Sequence, residues 1–269
     1  MEGTSRSSLK DARRALNESV NNGADAAQLG EDLLAVAGVV GGSAVLRRAV
    51  ADPSRDGKDR AGLIDRLFVG RITDAAQEVA RVVAAARWTR DADVSQALEL
   101  LAVEAILAHA QEEGRLSRVE DELFRFNRIV SATPALQAAL SDGRATPSAK
   151  GNLVKALISD KVAPESLRLA QHAVATPTMR FDRAIPSYLD IAAQRQSQVT
   201  AVVTSARALS AEHKDRMVDA LSKQYGRDIT LQVVVDESVL GGIRVEIADE
   251  VIEGTISSRL STARRHVAR

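Results

Sequence analysis

Hydrophobic positions along most of the chain recur at the three- and four-residue spacing of amphipathic helices. This pattern runs from Ser7 to about Arg195 and is interrupted only briefly, at glycine and proline. The breaks fall at Asn22-Gly23, Gly41-Gly42, Asp52-Pro53, Gly70, Gly114, Thr133-Pro134, Gly143, Ala163-Pro164 and Thr176-Pro177. The pattern predicts a mainly α protein, in which the helices are joined by short turns.

The helical pattern also repeats. When the chain is shifted by 90 residues without a gap, hydrophobic positions and helix breaks stay in register, and many residues are identical. Identical pairs include Leu33 and Leu123, Val40 and Val130, Asp52 and Asp142, Leu67 and Leu157, and Arg90 and Arg180. We therefore predict duplicated N-terminal helical bundles, with residues 1–97 as the first copy and residues 98–198 as the second.

One helix has an unusual pattern. From Ala97 to Ala110 the sequence ALELLAVEAILAHA carries two apolar stripes, one through Leu98 and Leu101 and another through Leu100 and Val103. A helix that is apolar on two faces has to bury both of them. By the 90-residue shift, this helix both closes the first copy and opens the second. We expect the two bundles to share it.

Beyond residue 198 the period changes from helical to alternating, which indicates strands. Strands are predicted at about 199–204, 229–235, 243–247 and from 251. A helix capped by Ser210 lies between the first two strands, and a last helix runs from Thr255 to about Val267. The prediction for residues 199–269 is a small C-terminal α+β domain with the order β-α-β-β-β-α.

Glycines flank the predicted strands of this domain. Gly241 and Gly242 precede the third strand, and Gly254 follows the fourth. Only glycine enters positive φ without a steric penalty, and it leaves room for a close neighbour. We interpret all three as structural and expect at least one of the Gly241-Gly242 pair to have positive φ or to be tightly packed.

This region carries a series of short motifs: Thr204-Ser205-Ala206, Val235-Asp236, Leu240-Gly241-Gly242-Ile243, Val251-Ile252 and Gly254. Together they resemble the C-terminal signature of the delta subunit of F-type ATP synthases, a relative of the mitochondrial oligomycin-sensitivity-conferring protein. The chain departs from the family pattern at Val239 and at Glu253-Gly254-Thr255, conservatively in size and polarity. The family has one six-helix domain, which corresponds to about residues 98–198, so residues 1–97 are an additional copy.

The resemblance implies a non-catalytic stator subunit, peripheral to the cytoplasmic face of the cell membrane, that links the catalytic head to the peripheral stalk. It implies that the helical domain receives the N-terminal helix of an alpha subunit between its first and fifth helices, here about 98–111 and 165–176. Residues 199–269 would bind a b-type stalk subunit. The alpha-binding side chains implied in this way are Leu101, Ala105, Ala108, Leu169, Ala170 and Ala173.

The composition and motifs of the chain argue against several classes of function. The 36 basic and 36 acidic residues cancel, which argues against a nucleic-acid partner held by phosphate contacts. No cysteine is present, the four histidines are scattered, and no phosphate-binding GxxxxGK[ST] motif occurs, so no cofactor, metal or active site is predicted. The alternative function is a helical-repeat scaffold that binds amphipathic helices of other partners.

Overall fold

A computed structural model describes residues 3–176, 178–197, 199–225, 229–236, 239, 242–247 and 250–253. The chain begins with six helices joined by short turns. Their bounds are α1 (Thr4–Asn21), α2 (Ala26–Gly42), α3 (Ala44–Ala51), α4 (Gly57–Phe68), α5 (Asp74–Ala85) and α6 (Asp91–Glu112).

Five further helices repeat this arrangement: α7 (Leu116–Ala132), α8 (Pro134–Ser141), α9 (Pro147–Ile158), α10 (Pro164–Ala175) and α11 (Phe181–Ser197). The first and last residues of α7, α8, α9 and α10 each lie 90 residues after those of α2, α3, α4 and α5, and α11 begins 90 residues after α6. The helix boundaries therefore support the duplication that the sequence predicts.

Polar residues at equivalent positions begin equivalent helices. The carboxylate of Asp56 accepts a hydrogen bond from the Lys58 amide at the start of α4. At the matching start of α9, the Thr146 hydroxyl accepts from the Ala149 amide. These side chains satisfy amides that the first helical turn leaves without partners, which is why both helices begin where they do.

The helix α6 is buried nearly all round, as its two apolar stripes predict. Fifteen of its residues are buried, including Leu98, Leu101 and Leu107. Helices of both copies pack against it, among them α1 and α2 from the first and α7 and α10 from the second. The predicted division between residues 97 and 98 falls inside α6, and the buried side chains of α1–α11 form one continuous hydrophobic core.

Among the described helices, α2 and α6 share the most extensive contact, and they run antiparallel. A Cβ atom at Gly30 would lie only 2.7 Å from Ile106 Cγ1 and 3.2 Å from the carbonyl oxygen of Ala102. Near the other end of the pair, Gly41 lies against Ser95. Small residues therefore allow close contact between two helices of the same chain.

The C-terminal elements are β1 (Val199–Ser205), α12 (Ala211–Tyr225), β2 (Ile229–Val235), β3 (Ile243–Ile247) and β4 (Glu250–Glu253). The four strands form a sheet of order β2-β1-β3-β4, with β1 parallel to β2 and antiparallel to β3. Alternate residues Ala201, Val203, Val245 and Ile247 are buried with Leu221 of α12 in a small separate core. This confirms the mainly α fold with a C-terminal α+β region. The predicted last helix lies outside the described residues.

The chain divides into two compact units, residues 1–193 and 194–269. The second begins close to the boundary predicted at residue 199. In the described part of the chain, no single helix is long and apolar enough to cross a membrane; only α2 and α3 taken together would qualify, and they are bent by 104° at the break between them.

Candidate partner-binding surfaces

The fifth helix of each copy is held by a carboxylate from the second helix of the same copy. Asp32 Oδ2 accepts hydrogen bonds of 2.8 Å from the amide and the hydroxyl of Thr73, which precedes α5. Ninety residues later, Glu122 Oε2 accepts from the Ala163 amide at 2.8 Å and from the Ser166 hydroxyl at 2.6 Å. This shared contact positions α5 in the first copy and α10 in the second. The resemblance locates partner binding on α10 together with α6.

An ion-pair cluster lies where α6 ends and α10 begins. Glu165 Oε1 is 2.6 Å from Arg115 Nη2 and 3.5 Å from His109 Nε2. Burial alone would raise the pKa of the Glu165 carboxyl, but the hydrogen bonds that it accepts and the charge of Arg115 together outweigh burial, so that this pKa lies below its ordinary value. The geometry gives His109 a structural role beside Glu165.

A second polar cluster lies where α10 ends. The buried carboxylate of Glu99 on α6 accepts hydrogen bonds from the hydroxyls of Thr176, at 2.6 Å, and Thr178. Burial raises the pKa of Glu99 despite these bonds. Nearby, the His172 ring stacks on Tyr188 with centroids 6.1 Å apart, and burial lowers the pKa of His172 to about 4. The cluster ties α10 and α11 to α6.

The six side chains implied to contact an alpha subunit all lie inside the core. Each has a solvent-exposed fraction of 1% or less; the residues are Leu101, Ala105, Ala108, Leu169, Ala170 and Ala173. The alanines serve close packing within the chain, because α6 has helices of both copies around it. In this structure all six side chains therefore pack against other parts of the same chain.

The equivalent helices of the first copy are more open. Ala15 of α1 occupies the position of Ala105, yet it is partly exposed whereas Ala105 is fully buried. On the neighbouring α5, Ala75 and Val82 are also partly exposed. The sequence reasoning missed this surface because the resemblance covers the second copy only, although the 90-residue shift points to it.

The face of α10 that carries Arg168 is also occupied from within the chain. Arg168 Nε forms an ion pair with Glu31 of α2, a helix of the first copy. This ion pair links α2 of the first copy to α10 of the second.

In the C-terminal unit, Gly242 has a φ of +87°, in the left-handed region that favours glycine. Gly241 and Gly254 lie outside the described residues. The strand β2 stands at one edge of the sheet, and its residues Val234 and Val235 are about half exposed. This edge and its exposed valines offer a surface for a partner.

Comparisons with known proteins agree with the sequence motifs. The sequence profile of the ATP synthase delta (OSCP) subunit family matches residues 103–267. The chain is 41% identical over 268 residues to the ATP synthase subunit delta of Kineococcus radiotolerans, covering 99% of this chain and 97% of that protein. The chain belongs to the ATP synthase delta (OSCP) subunit family. Membership makes it a structural, stator subunit of ATP synthase with no catalytic role, and a peripheral component of that complex.

Other relatives share the long form of this delta-family subunit. The ATP synthase subunit delta of a Parafrankia species is 44% identical over 279 residues and covers all of both chains, and that of Streptomyces griseus is 39% identical over 270 residues, again covering both chains fully. The family profile does not cover residues 1–102. The full-length alignments to these relatives do include them. A chain of the Toxoplasma gondii mitochondrial ATP synthase hexamer covers 62% of this chain and 95% of that chain at 11% identity, with a TM-score of 0.29, from which nothing further follows.

Proposed function

We propose that this delta-family subunit joins the N-terminal helices of the ATP synthase alpha subunits to a b-type peripheral-stalk subunit at the cytoplasmic face of the cell membrane. The observation that carries the proposal is the division of the chain into two units with separate cores, one helical and one α+β. Two independently packed units can hold two partners at once, which is what a stator joint under torque requires.

The helical unit is the proposed site for an alpha subunit, with the contact on the first copy. Its first and fifth helices, α1 and α5, pack together and leave Ala15, Ala75 and Val82 partly exposed. Small and apolar side chains on a helix pair suit an amphipathic guest helix. In the second copy the same position is closed, because Ala105 has no exposed surface.

The α+β unit is the proposed site for the b-type subunit. The edge strand β2 has one side free among the described strands of the sheet, and Val234 and Val235 add apolar surface beside it. A polypeptide laid along this edge would gain main-chain hydrogen bonds together with apolar contact.

The alpha contact is tested by charge insertion on α5. Val82→Glu should weaken binding of a synthetic alpha N-terminal helix by about tenfold or more, because a carboxylate would be desolvated against an apolar guest. Val45→Glu is the matched control, since Val45 is 72% exposed and lies on α3, which packs against α2, α4 and α6. Equal affinity of both variants for the peptide in a calorimetric titration would refute the proposed location.

The division of labour is tested by truncation. Removing residues 199–269 should abolish binding to the b-type subunit and leave the affinity for the alpha peptide within about threefold, because the helical unit has its own core. Circular dichroism would establish that the truncated chain is folded. Loss of the alpha peptide by a folded truncation would contradict the proposal.

A further inference from the structure

Two neighbouring cavities, of about 410 and 520 Å³, lie in the second copy where α10 ends and α11 begins. Thr178, Arg180 and Asp182 line both of them, so the cavities share a wall, and we call them together the α11 pocket. Lys150 lines the smaller cavity and Arg183 lines the larger one. The charged side chains of this lining are therefore three cations and one carboxylate, with a net charge of +2.

In the first copy, the equivalent arginine is neutralised from within the chain. Arg90 and Asp93 lie 90 residues before Arg180 and Arg183. Arg90 Nη2 is 2.9 Å from Asp93 Oδ1, and the Asp93 side chain is only 1% exposed. The same carboxylate accepts a 2.8 Å hydrogen bond from the Ser5 hydroxyl. A buried carboxylate thus balances the charge of the arginine at the start of α6.

The second copy has a cation where the first has this carboxylate. Arg183 has no carboxylate partner among the described residues, and it follows Arg180 by three positions, so two like charges are neighbours at the start of α11. Arg180 does lie 3.4 Å from Asp182, but their side chains are 86% and 56% exposed. An ion pair so exposed to solvent contributes little. The positive charge of the two arginines is therefore not balanced within the chain.

The third cation of the pocket also differs from its counterpart. Arg60, which lies 90 residues before Lys150, is buried and donates hydrogen bonds to the carbonyl oxygens of Asp52, at 3.2 Å, and Ala85, at 2.7 Å. The Lys150 ammonium has no hydrogen-bond or ion-pair partner among the described residues, and it lines the smaller cavity instead. A cation that is bound internally in the first copy therefore faces open space in the second.

We propose that the α11 pocket binds a phosphate group, which supplies the negative charge that Asp93 supplies in the first copy. The guanidinium groups of Arg180 and Arg183 would donate to the phosphate oxygens, because the planar fork of arginine matches their geometry. Lys150 would add a third positive charge. A phosphate monoester carries about −1.5 to −2 charges at pH 7, which the net charge of the pocket would balance.

The phosphate group could come from the free ion or from a small phosphate ester, since both offer the same oxygens to the arginines. All lining residues belong to α6 or to the second copy, so the pocket lies apart from α1, α5 and the C-terminal sheet. The inference is therefore independent of the proposed alpha and b contacts.

Titration of the full-length chain with inorganic phosphate and with ribose 5-phosphate tests the proposal. Backbone amide NMR signals would be recorded at constant ionic strength, with sodium chloride as the reference salt. At least one of the two compounds should give saturable shifts at Thr178, Arg180 and Arg183. Tighter binding of ribose 5-phosphate would identify an ester as the ligand, and tighter or equal binding of inorganic phosphate would identify the free ion. Equal shifts with chloride, shifts confined to other residues, or no saturable shift with either compound would overturn the proposal.

Charge reversal at Arg183 provides the second test. Arg183→Asp restores the residue of the first copy, so it should pair with Arg180 and weaken phosphate binding by at least tenfold. Arg6→Asp is the matched control, because Arg6 is exposed and is the third residue of α1, as Arg183 is of α11. This control should bind as the unaltered chain does.

Arg183→Gln, which removes the charge without reversing it, should weaken binding by about fivefold and serves if the aspartate variant does not fold. Circular dichroism would establish folding of each variant. Unchanged binding by a folded Arg183 variant would overturn the proposal. So would an equal loss in Arg6→Asp, since the effect would then follow net charge rather than the pocket.

Discussion

At the residue scale, the buried carboxyl of Glu99 makes the stability of the second copy depend on pH. Its pKa is raised above its ordinary value of 4.5 by burial, so the folded chain binds a proton more readily than the unfolded chain. Stability contributed by this protonation is present at low pH and is lost as pH rises through the raised pKa. Glu99→Gln, which keeps the size and the hydrogen-bonding oxygen, should therefore raise the free energy of unfolding at pH 7. The gain should vanish at pH 4, as measured by urea unfolding; a gain that is the same at both values would contradict this explanation.

His172 responds to pH in the opposite direction. Burial, with the nearby Arg168 charge, lowers its pKa from 6.5 to about 4, and its Nε2 is buried without a hydrogen-bond partner among the described residues. The unfolded chain is protonated first as pH falls, so stability decreases between about pH 6.5 and pH 4. His172→Phe, which keeps the stacking on Tyr188, should reduce the loss of unfolding free energy between pH 7 and pH 5 by about 1–2 kcal/mol. An unchanged pH profile of the variant would show that His172 is not the titrating group.

At the element scale, the close contact of α2 and α6 depends on Gly30. A methyl group there would meet both the Ile106 side chain and the backbone oxygen of Ala102, whereas Gly38 in the same helix has open space around it. Overpacking costs about 1–3 kcal/mol, which exceeds the roughly 1 kcal/mol of helix propensity that alanine gains over glycine.

Gly30→Ala should accordingly lower the thermal midpoint, and Gly38→Ala should raise it. Both substitutions change the same helix in the same way, so the difference between the two isolates the contact with α6. If scanning calorimetry gives the two variants the same thermal midpoint, then α6 accommodates the methyl group at position 30 without loss of stability.

At the scale of the whole molecule, the shared helix makes the two copies depend on each other. Without residues 1–90, Ala102 and Ile106 of α6 would lose the cover of α2 and become exposed. A fragment of residues 91–269 should therefore self-associate in analytical ultracentrifugation, because a large apolar stripe would face solvent.

The Ile106→Glu substitution shows whether the fragment self-associates because of its exposed apolar stripe or because it is unstable as a whole. In the fragment, the substitution should restore a monomer. In the full chain it should cost several kcal/mol of unfolding free energy, since it buries a charge against α2. A monomeric fragment without the substitution would show that the second copy is self-sufficient.

Much of this molecule was predictable from its sequence, because helical and strand periods are local properties of the chain. The spacing of apolar residues predicted helices from Ser7 to about Arg195, although no predicted break separates α5 from α6. The alternation after residue 198 predicted β1–β3, and the two stripes on Ala97–Ala110 predicted that α6 is buried on both sides. The 90-residue shift indicated the duplication for the same reason: each copy repeats its own local pattern.

Exposure could not be predicted in this way, because it depends on contacts between residues far apart in the sequence. Ala15 and Ala105 occupy equivalent positions, yet only the second is fully buried, because α6 has neighbours from both copies. Likewise, the correspondence of Asp93 with Arg183 could be read from the shift, but the space beside Arg180 follows from how α8, α10 and α11 pack around it. The sequence by itself determined the elements and their repetition; only the tertiary structure decided which of the repeated surfaces are open, since solvent access is set by the packing of whole helices.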